Sequence, residues 1–338
     1  MRTLNVLVTT PSFDRSIPHA DDEVMRRIKA VGPEVSVKDG SALLMAEMNG
    51  DGSRKAALDA LLAEADVLFG FIPPSDITKR APRLKWFQAT SAGVDRHRDT
   101  EIWRSHIIIT GVSGIHATPI GEFVLSLMLM FVKDTPSSFR MMQSRRWQRY
   151  GTRVLRGRTV GIVGLGHIGR EVARLSKAFG MKVIATRRST KKEGEARHVD
   201  LLLPQARLNE MLGESDFVAV CLPLTPETRR IIGEAEFKAM KPSAYIINIG
   251  RGDLIDEEAL IRALDAGRIA GAGLDVTAAE PLPEDSRLWD FKNVILSPHV
   301  SGGMEDYMVR AADLFCDNLR RYLDGKKLRN IVDRKRGY

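Results

Sequence analysis

The chain has 338 residues, of which 43% are hydrophobic and 28% charged, which is ordinary for a globular protein and excludes a disordered or collagen-like chain. The length favours two domains, because a single core stops growing at about 250 to 300 residues. The net charge of +8 is scattered along the chain, without the aromatic interleaving of a single-strand nucleic-acid surface or the spacing of zinc ligands, so we predict neither a nucleic-acid partner nor a metal.

The first third of the chain alternates short apolar runs with helical patterns. Its first residues lack the long apolar stretch and small-residue cleavage site of a signal peptide, so we expect a cytoplasmic protein. Pro and Gly separate the runs that we predict to be strands, at residues 6–8, 67–69, 86–88 and 107–110. This layout predicts an α/β domain.

A long amphipathic helix is predicted over residues 117–133, because apolar residues recur there at steps of three and four. Its longest apolar run, residues 123–132, is about half the roughly 20 residues that a membrane-spanning helix needs. We therefore expect no membrane span. A polar, Arg-rich stretch follows up to Arg158.

From Thr159 onward, strand and helix patterns alternate again. Near-continuous apolar runs, typical of buried parallel strands, predict strands at residues 160–163, 183–186, 217–221, 245–249, 271–276 and 294–297. A helical tail over residues 303–325 has no strand partner of its own, so we expect it to pack on the first domain. The two cysteines, Cys221 and Cys316, give no disulfide framework.

A glycine pattern stands between the first of these strands and the helix that follows it. Gly164, Gly166 and Gly169 have the Gly-x-Gly-x-x-Gly spacing. In this context the glycines permit a tight turn, a close approach of the backbone to a pyrophosphate, and close packing of the helix on the strand. A second strand from Val183 completes a βαβ unit, so we predict a dinucleotide site.

The end of that second strand bears on the choice of cofactor. An acidic residue there usually accepts hydrogen bonds from the ribose of NAD, whereas this chain has Arg187 and Arg188. A guanidinium can bind a 2′-phosphate through bidentate hydrogen bonds. The sequence therefore favours NADP(H), and NAD(H) stays open if the two arginines are only exposed loop charges.

Three polar residues follow strands of the second half: Arg251, Glu280 and His299. Open α/β sheets bind ligands at the C-terminal ends of their strands. Reduction of a 2-oxo acid needs a proton donor, a cation for the carboxylate and carbonyl, and a carboxylate that orients the donor. Histidine can donate a proton in one direction of such a reaction and accept it in the other. The sequence thus predicts His299 as acid/base, Glu280 as its partner and Arg251 as the cation.

Several separate stretches, in a common order, resemble the D-isomer-specific 2-hydroxyacid dehydrogenase family, which includes glyoxylate and hydroxypyruvate reductases. They are ATSAGVD, GRTVGIVGLGHIGREVA, FVAVCLPLTPETRRII, AYIINIGRGDLIDEEALIRALDAGRIAGAGLDV, EPLP and SPHVSG. The resemblance implies the same roles for His299, Glu280 and Arg251, and a substrate carboxylate held by the backbone N–H groups of Ala92 and Gly93. It also implies the following cofactor-binding residues in addition to the three glycines: His167, Ile168, Leu222, Pro223, Thr228, Ile249, Gly250 and Asp275.

The resemblance implies two Rossmann-like α/β domains with parallel sheets, one flavodoxin-like and one dinucleotide-binding, and an active-site cleft between them. We expect residues 1–115 with 304–338 to bind the substrate and residues 116–303 to bind NAD(P). A homodimer formed through the cofactor domain is also implied. The sequence leaves the acid itself open among glyoxylate, hydroxypyruvate and bulkier 2-oxo acids.

Two other functions fit the same motifs. Transcriptional corepressors that sense NAD(P) share this fold and the same Arg, Glu and His, although the chain has no long disordered flanks for recruiting partners. Formate or phosphite dehydrogenases also share the fold. Relatives that oxidise formate are expected to carry Gln beside the histidine, and Glu280 counts against that branch.

Overall fold

The computed structural model describes residues 3–10 and 20–337. These residues form two compact units. The first runs to Ile115 and resumes at Met304, and the second comprises His116–Gly303. Within the described part of the chain, no helix combines the length and apolar character needed to cross a bilayer.

The first unit is built on a parallel sheet. Its elements before Ile115 are β1 (Leu4–Thr9), α1 (Asp22–Lys29), β2 (Val35–Asp39), α2 (Ser41–Met48), α3 (Lys55–Glu64), β3 (Val67–Gly70), α4 (Ile77–Arg80), β4 (Trp86–Ala89), α5 (Glu101–Arg104) and β5 (Ile108–Thr110). The strand order is β2-β1-β3-β4-β5, and every pairing is parallel. Strand β2 has no counterpart among the strands predicted from sequence.

Both faces of this sheet are covered. Successive side chains of a strand point to opposite faces. Val8 and Phe69 accordingly belong to one core cluster, whereas Leu7 and Leu68 belong to another. Burial on both faces explains why β3 is a continuous apolar run and why β4 is apolar except for the buried Gln88, rather than alternating.

The second unit has a larger sheet. Its elements are α6 (Ala117–Lys133), α7 (Thr135–Gln143), β6 (Thr159–Val163), α8 (His167–Ala178), β7 (Lys182–Arg187), β8 (Gly194–Ala196), β9 (Val199–Pro204), α9 (Leu208–Glu214), β10 (Phe217–Val220), α10 (Glu234–Ala239), β11 (Tyr245–Asn248), α11 (Glu257–Asp265), β12 (Gly271–Leu274) and β13 (Val294–Leu296). The order is β13-β12-β11-β10-β6-β7-β9-β8, and only the edge strand β8 is antiparallel to its neighbour. The parallel α/β class expected from the sequence is confirmed.

The C-terminal helix α12 (Tyr307–Leu323) belongs to the first unit. Phe315 on this helix stacks on Phe69, with 4.6 Å between the ring centroids, and also contacts Trp86. Asn318 is completely buried and donates through Nδ2 to Oε1 of Gln88 on β4. The helix therefore completes the core on one face of the first sheet.

A buried histidine makes the first unit sensitive to acid. His97 is only 1% exposed and meets the ring of Phe87 edge-on. Burial, assisted by the nearby Arg96 cation, lowers the pKa of His97 from 6.5 to about 4. The unfolded chain takes up a proton at this histidine below pH 6.5, whereas the folded chain does so only near pH 4. The contribution of His97 to the free energy of unfolding is therefore fully present above pH 6.5 and is lost as the pH falls toward 4.

Because of His97, we expect the free energy of unfolding to fall by about 2 kcal/mol between pH 6.5 and pH 5. His97→Leu should lose less stability over that range, in urea titrations followed by circular dichroism. The exposed His106→Gln is the matched control and should keep the full pH dependence. Equal pH dependence in the His97 and His106 variants would contradict this account.

Candidate active site

The predicted site residues of the second unit follow neighbouring strands. Arg251 comes after β11, Asp275 and Glu280 come after β12, and His299 comes after β13. These three strands are adjacent and parallel, so the loops at their C-terminal ends meet at one edge of the sheet. This is the edge at which open α/β sheets bind ligands.

His299 and Glu280 are in direct contact. Nδ1 of His299 lies 2.8 Å from Oε2 of Glu280, and the two side chains are 45% and 40% exposed. The other oxygen of Glu280 accepts a hydrogen bond from the backbone N–H of Thr277 at 3.3 Å. The carboxylate thus fixes the imidazole through Nδ1, which leaves Nε2 as the ring nitrogen that can exchange a proton with a substrate.

Asp275 organises the loop that carries His299. Its side chain is almost completely buried and accepts hydrogen bonds from Ser297 Oγ at 2.7 Å, from the N–H of Val300 at 2.9 Å and from the N–H of Ser301 at 3.0 Å. The N–H of His299 donates to the backbone oxygen of Asp275 at 2.9 Å. His299 has a φ of 55°, a left-handed conformation that costs about 1 to 3 kcal/mol in a non-glycine residue. The bonds to Asp275 offset that cost.

The backbone at Arg251 is fixed by Asn248, a buried residue that the sequence analysis did not identify. Asn248 donates through Nδ2 to the carbonyl of Arg251 at 2.9 Å and accepts from the N–H of Gly250 at 3.1 Å. A Cβ on Gly252 would lie 2.0 Å from the carbonyl of Thr277, so only glycine permits the approach of these two loops. Arg251 itself is half-buried and donates to the carbonyl of Gly250 at 2.8 Å.

His116, which the sequence analysis also missed, lies near Arg251. Burial, assisted by the Arg251 cation, lowers the pKa of His116 from 6.5 to about 4. Its ring packs against Gly302, where a Cβ would lie 2.8 Å from the imidazole Cδ2. A neutral imidazole thus adjoins both the cation at residue 251 and the loop that follows His299.

The glycine-rich turn has the shape that a dinucleotide needs. Gly164 has a φ of 101°, and a Cβ on Gly169 would lie 2.3 Å from the carbonyl of Gly164. A Cβ on Gly166 would meet open space, and no side chain caps helix α8, which begins at His167. The N–H groups of the first turn, including that of Ile168, therefore point toward the space in front of the helix, where they suit a pyrophosphate.

The loops beside this turn come from β7 and β10. Arg187 is half-buried at the end of β7, and its Nε donates to Oγ1 of Thr190 at 3.1 Å, while Arg188 is exposed. Leu222 contacts the turn at Gly164 and is followed by the exposed Pro223. The Oγ1 of Thr228 donates to the carbonyl of Pro223 at 2.7 Å. Thr228 therefore shapes the loop that faces the glycine-rich turn.

Two predicted substrate-binding residues lie in the first unit, at the C-terminal end of β4. Ala92 is exposed and Gly93 is half-buried. Among residues 3–10 and 20–337, the N–H groups of both make no protein hydrogen bond. Ser91 closes the turn through Oγ, which donates to the carbonyl of Gly93 at 2.8 Å. Both N–H groups are thus presented as donors for an anion.

Comparison with known proteins identifies the family. The sequence model described as "D-isomer specific 2-hydroxyacid dehydrogenase, NAD binding domain" matches residues 125–301. A glyoxylate reductase from Aeropyrum pernix is 36% identical over 284 residues, which cover 80% of this chain and 84% of the relative. The chain belongs to the D-isomer specific 2-hydroxyacid dehydrogenase family. It is an oxidoreductase with the NAD-binding domain of that family.

Solved structures of this dehydrogenase family extend the likeness to the whole chain. A family member from Xanthobacter autotrophicus, determined with NADPH and MES, is 29% identical with a TM-score of 0.82 and covers all of both chains. A glyoxylate/hydroxypyruvate reductase from Sinorhizobium meliloti, determined with NADP and sulfate, is 28% identical with a TM-score of 0.81, over 99% of this chain and 100% of that one. The resemblance stated from the sequence motifs is confirmed.

Proposed function

We propose that the protein reduces a small 2-oxo acid, such as glyoxylate or hydroxypyruvate, to the 2-hydroxy acid. The observation that carries this proposal is the pair formed by His299 and Glu280, 2.8 Å apart, at the sheet edge that also presents Arg251 and the uncapped glycine-rich turn. Residues 116–303 would bind the cofactor, and residues 1–115 with 304–338 would bind the acid. The names of the relatives from Aeropyrum and Sinorhizobium support this substrate class.

Each residue has one task in the proposed reaction. The N–H groups of Ala92 and Gly93 hold the substrate carboxylate, and Arg251 polarises the C2 carbonyl and stabilises the negative charge that develops on its oxygen. The reduced nicotinamide cofactor, when bound, supplies a hydride for C2. His299 donates a proton through Nε2 to the C2 oxygen, and Glu280 orients the imidazole and stabilises its cation.

A panel of 2-oxo acids tests the proposed function. The purified protein is incubated with each acid and either NADPH or NADH, and turnover is followed by the loss of nicotinamide absorbance. We expect turnover with glyoxylate or hydroxypyruvate. Tight binding of either cofactor without turnover of any acid would instead favour the nucleotide-sensing corepressor function.

NADP(H) is the cofactor that we propose, and NAD(H) is the second candidate. The guanidinium of Arg187 lies at the end of β7, where it can contact a 2′-phosphate, and Arg188 is the next residue. A charge-assisted hydrogen bond contributes about 1.5 to 3 kcal/mol, or roughly 10- to 100-fold in affinity. The NADPH and NADP complexes of the two solved relatives support this choice.

The substitution Arg187→Asp should reverse the cofactor preference. A carboxylate repels the 2′-phosphate and accepts hydrogen bonds from the free ribose hydroxyls of NADH. We expect the ratio of kcat/KM for NADPH to that for NADH to fall by at least about 10-fold, from above one to below one. Lys191→Asp, directly after the turn that Thr190 closes, is the control for a general change of charge. An equal ratio in the wild type and in Arg187→Asp would exclude the phosphate contact.

A homodimer in the cytoplasm is the proposed state of the protein. Five of the eleven large hydrophobic side chains that are exposed in the described residues lie in a single segment: Phe139, Met142, Trp147, Tyr150 and Val154. Trp147 is 99% exposed. Such a concentration is typical of an interface. Light scattering should give twice the mass of one chain for the wild type, and Trp147→Ser should weaken that association.

A further inference from the structure

The loop that carries Glu280 is closed by its own hydrogen bonds. This loop, residues 277–280, follows β12, and its last residue forms the pair with His299. Oγ1 of Thr277 donates to the carbonyl of Ala279 at 2.7 Å, and the N–H of Thr277 donates to Oε1 of Glu280 at 3.3 Å. These bonds shape the loop but join it to no other element. The position of Glu280 therefore depends on contacts that reach the loop from outside.

Glu257 supplies the hydrogen bond from outside the loop. It is the first residue of α11, and its Oε2 accepts from the N–H of Ala278 at 3.1 Å. Among the described residues, this is the one hydrogen bond that joins residues 277–279 to a residue beyond the loop. The carboxylate thus connects the start of a helix with the centre of the loop.

Gly252, directly after Arg251, makes a second contact with the same part of the loop. A Cβ on Gly252 would lie 2.0 Å from the carbonyl of Thr277 and 2.4 Å from the nitrogen of Ala278, so the two backbones pack directly against each other. Both contacts fall on one peptide group, the one that joins Thr277 to Ala278. The segment from Gly252 to Glu257 therefore holds the loop of Glu280 in a fixed position beside the backbone of Arg251.

The start of α11 does not need the carboxylate of Glu257. Asp256 is the N-cap of this helix, and its Oδ1 accepts from the N–H of Ala259 at 3.1 Å. Glu258 is exposed and carries the same charge in the same first turn, where it favours the helix dipole equally. Within the described part of the chain, the carboxylate of Glu257 forms no ion pair and binds only the N–H of Ala278. Its contact therefore serves the loop.

We propose that Glu257 is a positioning residue, which holds the loop of Glu280 and thereby keeps the imidazole of His299 in place for proton transfer. This inference rests on the proposed function, in which His299 donates the proton. A displacement of about 1 Å at a reacting group can cost about 10²-fold in rate. Glu257 binds neither substrate nor cofactor in this role, so its loss lowers kcat and leaves KM almost unchanged.

The experiment measures kcat and the KM values of NADPH and of the best 2-oxo acid of the panel. Glu257→Ala removes the acceptor, Glu257→Gln removes the charge but keeps an acceptor oxygen, and Glu257→Asp keeps the charge but withdraws it by one methylene. Glu258→Gln is the matched control, because it removes the same charge from the same helical turn. Glu257→Ala is also combined with Glu280→Ala.

We expect Glu257→Ala to lower kcat by about 10-fold, with both KM values within about twofold of the wild type. Glu257→Asp should also lower kcat, whereas Glu257→Gln should keep most of the activity and Glu258→Gln all of it. When Glu280→Ala is already present, adding Glu257→Ala should lower kcat by less than about twofold, because the two residues act through the same contact. A residue that only stabilises the fold would lower kcat by the same factor in both backgrounds.

The outcomes separate this inference from the proposed function. A wild-type kcat in Glu257→Ala, or an equal loss with and without Glu280→Ala, would overturn the positioning role. A loss in Glu257→Gln that equals the loss in Glu257→Ala would assign the effect to charge and overturn it too. If the wild type turns over no acid, the proposed function is wrong and this inference falls with it. Fluorescence titration with NADPH verifies that each variant is folded.

Discussion

We expect His299→Ala to lower kcat for 2-oxo acid reduction by about 10²- to 10⁴-fold, which is the usual cost of removing a positioned proton donor. The imidazole is 45% exposed, is paired with Glu280 and lies outside the buried core, so its removal leaves the core untouched. The dissociation constant of NADPH, measured by fluorescence titration, should stay within about threefold of the wild type, since the glycine-rich turn is unchanged.

A comparison with the partner residue refines this prediction. Glu280→Gln keeps the shape of the side chain and a hydrogen bond to Nδ1 but removes the charge, so we expect a smaller loss of kcat than in His299→Ala. His106→Ala, an exposed histidine in the other unit, is the control and should be fully active. A wild-type kcat in His299→Ala on the best substrate would show that another group supplies the proton.

Asp275→Ala should have the second largest effect. The substitution leaves the hydroxyl of Ser297 and the N–H groups of Val300 and Ser301 without their buried acceptor, and losing such bonds costs about 2 to 4 kcal/mol in total. His299 would then no longer be held in its left-handed conformation. We expect kcat to fall by about 10²-fold in the protein that remains folded.

The matched control for Asp275→Ala is Asp216→Ala. The carboxylate of Asp216 also accepts a bond from a backbone N–H, that of Thr159 at 2.8 Å, but it precedes β10 and so lies at the opposite edge of the sheet. Both variants should be less stable in urea, whereas only Asp275→Ala should lose kcat. Asp275→Asn keeps one acceptor oxygen and should give an intermediate kcat. Equal losses of kcat in the Asp216 and Asp275 variants would show that the loss in Asp275→Ala comes from lower stability and not from the position of His299.

The strands that the sequence predicts and those that it misses differ in burial. Strands such as β10 are buried on both faces and can be recognised in the sequence as apolar runs. Strand β2 is half-exposed at an edge, so its five residues resemble a loop, and β8 is largely exposed. Strand β9 (Val199–Pro204) also has a clear apolar run, but the sequence analysis did not predict it, because charged residues surround that run.

The candidate site residues that could be predicted from the sequence are those whose side chains can themselves carry a charge or transfer a proton. Arg251, Glu280 and His299 follow strands in the sequence, and those positions alone are enough to propose an acid/base pair and a cation. His116 acts through a contact with Gly302, in a loop distant in sequence that no local pattern encodes. Asn248 acts on Gly250, only two residues further on, but the apolar-run pattern that identified the strand did not mark its polar last residue.

The most direct test of the central claim follows the hydride itself. NADPH carrying deuterium at both C4 positions is incubated with the protein and hydroxypyruvate, and the product is analysed by mass spectrometry and chiral chromatography. We expect one deuterium at C2 of a D-2-hydroxy acid, formed in a one-to-one ratio with the NADPH consumed, and the same label at a much lower rate with His299→Ala. Binding of NADPH without any labelled hydroxy acid, across every 2-oxo acid tried, would contradict it.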